Sequence, residues 1–326
     1  MANITLVEAV NQALMYEMTH DENVVVFGED VAKNGGVFRT TVGLLEKFGP
    51  KRVLDTPLAE SMIAGMAIGM AAQGLKPIAE FQFMGFIYPA VDHILNQASR
   101  LRNRTRGRLS CPAVFRAPYG GGIHAPEHHS ESTETLFAHI PGLRVVIPSS
   151  PARAYGLLLA AIRNPDPVLF LEPKRIYRWV KQEVPDDGIA LPLDKCFVLR
   201  EGSDITLITW GAMIKETLEA AEALEQQGVS CEIIDVATLK PIDFETILQS
   251  VEKTGRCLII HEAARHCGVG AEIAATVAEH GIFFLRAPIK RVTGYDTVMP
   301  YYKMEKYYLP SSAKIISTAQ QLMEFA

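Results

Sequence analysis

Ile205-Thr206-Leu207-Ile208-Thr209 and Cys231-Glu232-Ile233-Ile234-Asp235-Val236 flank a helical stretch, Ala212–Gln227, and a third apolar run, Cys257–His261, follows a second helical stretch, Phe244–Lys253. Short β-branched runs without strict alternation are what strands covered on both faces of a parallel sheet require. Strand, helix and strand in that succession make a β-α-β unit with a right-handed crossover. Ala271–His280 continues the alternation as a helix, and Ala313–Phe325 closes the chain as another.

Toward the N-terminus the same alternation recurs. Val24–Gly28, Pro77–Phe83, Ala113–Arg116, Arg144–Ile147 and Val168–Leu171 read as strands, and Leu6–Met18 and Pro151–Arg163 as helices. Thr5 and Glu8 have the spacing of a capping box. Ala59–Ala72 is a helix rich in Ala, Met and Ile whose Gly65 and Gly69 permit close approach of a neighbour but weaken it in isolation. From Glu172 to Leu199 the pattern breaks at Pro173, Pro185, Pro192 and the turn Asp186-Asp187-Gly188, as at a domain connection. We therefore expect an α/β protein of two parallel-sheet domains, 1–185 and 186–326.

Composition agrees. With 326 residues, 48% of them hydrophobic and 21% charged, the chain can bury a large core in two domains. A net charge of −5 gives no electrostatic reason to expect nucleic acid or an anionic membrane as partner. The five cysteines have no C-x-x-C spacing, so reduced thiols are the simplest reading and a cytoplasmic location the expectation. The start, Met-Ala-Asn-Ile-Thr-Leu-Val-Glu, lacks the pattern of a secretory signal or transit peptide. Ser61–Gly74, the longest low-polarity stretch, falls short of the roughly 20 residues that span a bilayer and reads as a buried helix.

Three segments carry chemistry. Asp55-Thr56-Pro57-Leu58-Ala59-Glu60 delivers a carboxylate to the start of the small-residue helix, although first-turn acids are also favoured by the helix dipole alone. Glu80-Phe81-Gln82-Phe83-Met84-Gly85-Phe86 mixes hydrogen-bonding side chains with aromatics, as a flat heteroaromatic ligand needs and as core packing also uses. Tyr119-Gly120-Gly121-Gly122-Ile123-His124-Ala125-Pro126-Glu127-His128-His129-Ser130 concentrates glycines and histidines in one loop. It lacks the Lys-Ser/Thr ending of a phosphate loop and any H-E-x-x-H zinc pattern. A proton-handling histidine is the more economical reading, against surface histidines without a role.

Together with Gly28-Glu29-Asp30-Val31, Gly35-Gly36-Val37-Phe38-Arg39, His129-Ser130, Pro141 to Pro148, Ala161 to Pro167, Glu183-Val184-Pro185, Lys253 to Arg256 and Tyr295-Asp296-Thr297, these segments resemble the beta subunit of heterotetrameric 2-oxoacid dehydrogenases over nearly the whole chain. The resemblance implies a thiamine-diphosphate-binding pyrimidine domain followed by a transketolase C-terminal-like domain. It also implies an alpha subunit, in an α2β2 assembly, that holds the diphosphate and magnesium; no Gly-Asp-Gly segment that would open such a motif occurs here. By resemblance, Glu60 hydrogen-bonds the aminopyrimidine and serves catalysis, Gln82 and Phe86 complete the cofactor contact, and His129 assists acyl transfer to a lipoyl domain. Main-chain and side-chain oxygens of Ala113, Ala161, Ile162, Asn164 and Asp166 match a potassium site of the family.

The implied activity is oxidative decarboxylation of a 2-oxoacid, within a multienzyme complex built on a dihydrolipoyl acyltransferase core. Pyruvate is the first expectation because of the loop Gly120 to Glu127, with branched-chain 2-oxoacid and acetoin dehydrogenases as alternatives. Family members commonly carry an acidic residue at the position of Arg286, a departure that bears on docking to that core. From another class, a non-catalytic scaffold subunit predicts that Glu60→Gln leaves an assembled complex fully active.

Overall fold

The computed structural model describes residues 2–325. No described helix is long and apolar enough to cross a membrane. The chain falls into two compact units: one runs to Tyr119 and resumes at Leu136–Leu193, the other joins Gly120–Thr135 to the chain from Asp194 onward.

In the first unit, β1 (Ala2–Ile4), β2 (Val24–Gly28), β3 (Val53–Asp55), β4 (Lys76–Glu80), β5 (Val114–Tyr119), β6 (Arg144–Val146), β7 (Val168–Pro173) and β8 (Gln182–Val184) appear in chain order. Six of them form a sheet in the order β6-β7-β5-β4-β2-β3, every neighbouring pair parallel. All residues of β2, β5 and β7 are buried, which is the consequence of helices on both faces. β1 and β8 form a separate antiparallel pair.

The helix Leu6–His20 starts where expected. Thr5 and Glu8 form the capping box, with the Glu8 carboxylate accepting from the Thr5 N–H at 2.7 Å. Pro151–Arg163 is capped by Ser150, has proline in its first turn, and packs against Leu6–His20 with Arg163 paired to Glu17 at 2.8 Å.

The second unit contains β9 (Phe197–Arg200), β10 (Ile205–Thr209), β11 (Cys231–Asp235), β12 (Thr238–Lys240), β13 (Cys257–His261) and β14 (Lys290–Thr293). Its sheet runs β14-β13-β10-β11-β9, parallel except for β9. Helices Ile214–Glu225, Phe244–Thr254 and Val269–Gly281 alternate with the strands. Phe244–Thr254 is capped by Asp243 and stopped by Gly255 at φ 71°, a conformation that suits glycine. The closing helix, Ser312–Met323, is fastened by buried Arg256, whose guanidinium donates to the carbonyls of Leu322 and Phe325.

One sequence expectation is modified. The helix Glu60–Ala72 buries only a stripe, Ile63, Ala64, Ala67 and Ala71. Met62 is exposed, and a side chain at Gly65 or Gly69 would meet nothing within 4 Å. The helix is therefore only half-covered by its own unit.

Candidate active site at the strand ends

Strands β2, β3 and β4 end level with one another: Gly28 stands opposite Asp55 on one side and Glu80 on the other. A Cβ on Gly28 would lie 2.4 Å from the Glu80 carbonyl oxygen, so only glycine permits this close approach. Asp55 accepts from the backbone N–H groups of Ala32 at 2.7 Å and Lys33 at 3.3 Å, folding the segment after β2 back toward β3. The carboxyl ends of parallel strands are where α/β sheets bind ligands.

Glu60, Gln82 and Phe86 all emerge beyond these ends and are all half-buried. Glu60 is the first residue of its helix, where the dipole favours a carboxylate. No described group donates a hydrogen bond to that carboxylate. Gln82 donates to Asp30 at 3.5 Å, and Asn34 reaches the other oxygen of Asp30 at 2.9 Å. Asp30 sits at φ 59°, a left-handed conformation that its short polar side chain tolerates. Burial pushes the Glu29 carboxyl above its ordinary value, and Asp30 and then Glu60 push it further. Glu60, Glu29, Asp30 and Gln82 therefore share one local field. The Ser61 hydroxyl donates to the Pro89 carbonyl at 2.7 Å, tying the first turn of the Glu60 helix to the segment that carries Phe86.

The Phe86 ring meets Phe83 edge-on at 5.6 Å, Phe83 meets Phe38 edge-on at 5.5 Å, and Phe38 lies 5.2 Å from Tyr177. Beneath lies a buried charge network. Arg116 on β5 bonds Glu80 on β4 at 2.8 Å and Glu172 on β7 at 2.6 Å, while Tyr177 donates to Glu172 at 2.7 Å. Burial and Glu172 push Glu80 upward although Arg116 opposes them. Burial, reinforced by Glu172, holds the Tyr177 hydroxyl well above its ordinary value. An unclaimed carboxylate, an amide and aromatic edges over strand ends are the groups that recognise a flat nitrogen heterocycle.

Sequence reasoning did not assign roles to Glu29, Asp30, Phe38 or Arg116. Their signals were present: an acidic pair directly after a strand, and an arginine inside the apolar run Ala113-Val114-Phe115-Arg116-Ala117.

The histidine loop belongs to the second unit, with Gly120–Thr135. Buried Glu305 accepts from the N–H groups of Gly122 at 2.6 Å and His124 at 3.2 Å, pinning the loop backbone. His124 is exposed at φ 60°, and His128 is exposed. His129 is half-buried in the single turn Glu127–His129, and its N–H donates to the Pro126 carbonyl at 2.9 Å. Ser130 closes the turn on the Ala125 and Pro126 carbonyls, and Ser132 donates to Glu262 at 3.0 Å.

Ala113, Ala161, Ile162, Asn164 and Asp166 lie together around the end of Pro151–Arg163 and the start of β7. The Ala113 carbonyl accepts from Val168, the Ala161 carbonyl from Asn164, and the Asn164 side chain from the Asp166 N–H at 2.9 Å. Asp166 is also paired with Arg102 at 2.5 Å. Each carbonyl retains a second lone pair.

Two family models match the chain: the transketolase pyrimidine binding domain over residues 2–180 and the transketolase C-terminal domain over residues 194–315. Among curated proteins, the "Pyruvate dehydrogenase E1 component subunit beta" of Acholeplasma laidlawii is 52% identical over 322 residues, covering 99% of this chain and 98% of that one. Those of Staphylococcus epidermidis and Bacillus subtilis are 49% and 47% identical, with full coverage of both chains. A solved split-gene transketolase, described as an inactive beta4 tetramer, is similar with a TM-score of 0.80 at 25% identity over 99% of each chain.

Proposed function

This chain belongs to the family of pyruvate dehydrogenase E1 component beta subunits, and we propose that it supplies the aminopyrimidine half of a thiamine-diphosphate site that decarboxylates pyruvate. The observation that carries this reading is the half-buried, unclaimed Glu60 carboxylate at a helix start after β3, with Gln82 and Phe86 following β4 on the other side of β2. The residues fit the cofactor: Glu60 would hold a proton at a ring nitrogen, Gln82 would orient exocyclic groups, and Phe86 would pack on the ring. When bound, thiamine diphosphate supplies the electron sink for decarboxylation.

Burial, then Asp30 and Glu60, push the Glu29 carboxyl above its ordinary value, so Glu29 feels the charge at Glu60 directly. His129 in its short turn would hold or donate a proton during acyl transfer to a lipoyl group. The oxygens of Ala113, Ala161, Ile162, Asn164 and Asp166 would hold a structural potassium ion.

An alpha subunit would bring magnesium and the diphosphate contacts in an α2β2 assembly, docked on a dihydrolipoyl acyltransferase core. The half-covered Glu60–Ala72 helix, with Gly65 and Gly69 open, supports a partner of this kind. The free cysteines support a reducing, cytoplasmic setting.

The test is co-expression with candidate alpha subunits and measurement of thiamine-diphosphate-dependent carbon dioxide release from pyruvate and from branched-chain 2-oxoacids. Glu60→Gln should lower kcat by roughly 10²-fold or more while the pair still assembles. An assembled pair whose rate is unchanged by Glu60→Gln would sink the reading in favour of a scaffold, and preference for branched substrates would move it to the sister activity.

A further inference from the structure

Away from the strand ends, the first unit holds a cleft of about 570 Å³ lined by Thr5, Glu8, Asn11, Arg39, Arg178 and Lys181. That volume is in the range of small-molecule sites. The cations come from two separate segments: Arg39 from the glycine-rich stretch after β2, Arg178 and Lys181 from the chain between β7 and β8. None of these three cations forms an ion pair among the described residues.

The walls are fixed by hydrogen bonds. Asn11 donates to the carbonyls of Thr40 at 2.9 Å and Val42 at 3.0 Å; Arg178 donates to the Phe38 carbonyl at 3.2 Å, and Arg39 to the Asn34 carbonyl. Glu8 is the one carboxylate in the lining, and it is already committed: its Oε2 accepts from both the N–H and the hydroxyl of Thr5 at 2.7 Å. The bonds from Thr5 hold that carboxyl below its ordinary value, with Lys181 and Arg178 adding to the effect. Three cations against one carboxylate leave the cleft with two positive charges in excess. A concave wall concentrates such a field, and guanidinium groups fit phosphate and carboxylate oxygens in pairs.

We infer that this cleft is a binding site for a small polyanion, a phosphorylated or polycarboxylate metabolite, separate from the cofactor site. The inference stands on the charge and shape of the cleft and does not depend on the cofactor reading. Occupancy would also bear on the strand ends, because Arg178 holds the backbone of Phe38, whose ring packs on Phe83.

The experiment is calorimetric titration of the full chain, alone and paired with its alpha subunit, with inorganic tripolyphosphate and with citrate. Saturable binding that weakens with salt is expected, with Arg178→Ala and Lys181→Ala each lowering affinity at least about tenfold. Glu8→Gln, which keeps the capping-box geometry, should strengthen binding, a change of sign that general damage to the fold would not produce. Tripolyphosphate alone binding identifies the phosphorylated class, and citrate alone the polycarboxylate class. Absence of saturable binding to either, or binding indifferent to all three substitutions, overturns the inference. So does loss of binding on pairing when Arg178→Ala and Lys181→Ala also weaken the pair, since the cleft would then take an acidic segment of the partner.

Discussion

Arg116 is buried between Glu80 and Glu172, its side chain only 2% exposed. Removing one member of such a buried group leaves charge without compensation, at about 3–5 kcal/mol. Arg116→Met should therefore lower the unfolding free energy by that amount in urea denaturation, with much of the loss recovered in the triple variant that also carries Glu80→Gln and Glu172→Gln. A single-variant loss under about 1 kcal/mol would show that the carboxylates have protonated and relaxed. His261 makes a pH argument of the same kind. Its ring is fully buried, stacks on Trp210 at 5.1 Å, and is held at a pKa of about 3 by burial, then by Arg291. The unfolded chain takes up this proton near 6.5 while the folded chain does not, so the folded state loses stability as pH falls from about 6.5 toward 3, by up to roughly 5 kcal/mol. Above that window the contribution is complete. His261→Phe, which preserves the stack, should flatten the acid limb of a stability-against-pH curve; an unchanged limb would assign acid sensitivity to other groups.

The helix Glu60–Ala72 shows what an element reveals and what it conceals. Its position was legible because a run rich in Ala, Met and Ile follows an acidic start, and the helix at Leu6–His20 was legible from Thr5 with Glu8. Its burial was not, because low polarity marks a helix for covering without saying which chain covers it. Strands β1, β3, β8, β9, β12 and β14 escaped for a different reason: they are three or four residues long, and Lys290-Arg291 or Gln182-Glu183 carry no apolar signal. At the site, Glu60 and Gln82 stand out as polar groups among apolar neighbours, but the roles proposed for them come from the family resemblance. The pairing of Gln82 with Asp30 spans 52 positions and exists only through the register of β2 with β4. Since a Cβ at Gly65 or Gly69 meets nothing in this chain, Gly69→Leu should leave the melting temperature of the lone chain within about 2 °C of wild type while reducing co-purification of the alpha subunit severalfold. Equal recovery of the pair would remove this helix face from the interface.

Each unit also carries exposed apolar surface. Leu58 is 67% exposed just before the Glu60 helix, and in the second unit Val298, Tyr301, Tyr302, Met304 and Tyr307 stand in one short stretch, with Tyr301 72% exposed. Runs of this kind mark interaction surfaces in soluble proteins. Chemistry points the same way: under the proposed function Glu60, Gln82 and Phe86 would meet a heterocycle, but the sequence contains no Gly-Asp-Gly segment for a magnesium-bound diphosphate. A cofactor gripped at one end forfeits most of its binding energy, so the lone chain should bind thiamine diphosphate at least 10²-fold more weakly than the pair and release no measurable carbon dioxide from pyruvate. Hydrogen exchange supplies an independent reading, because burial of the 298–307 stretch and of the Glu60 helix should slow their amides on pairing whether or not substrate is present. If the purified single chain turned over pyruvate at the rate of the pair, the division of the site between two subunits would be wrong. If pairing slowed exchange at neither surface, the exposed residues would belong to contacts between copies of this chain instead.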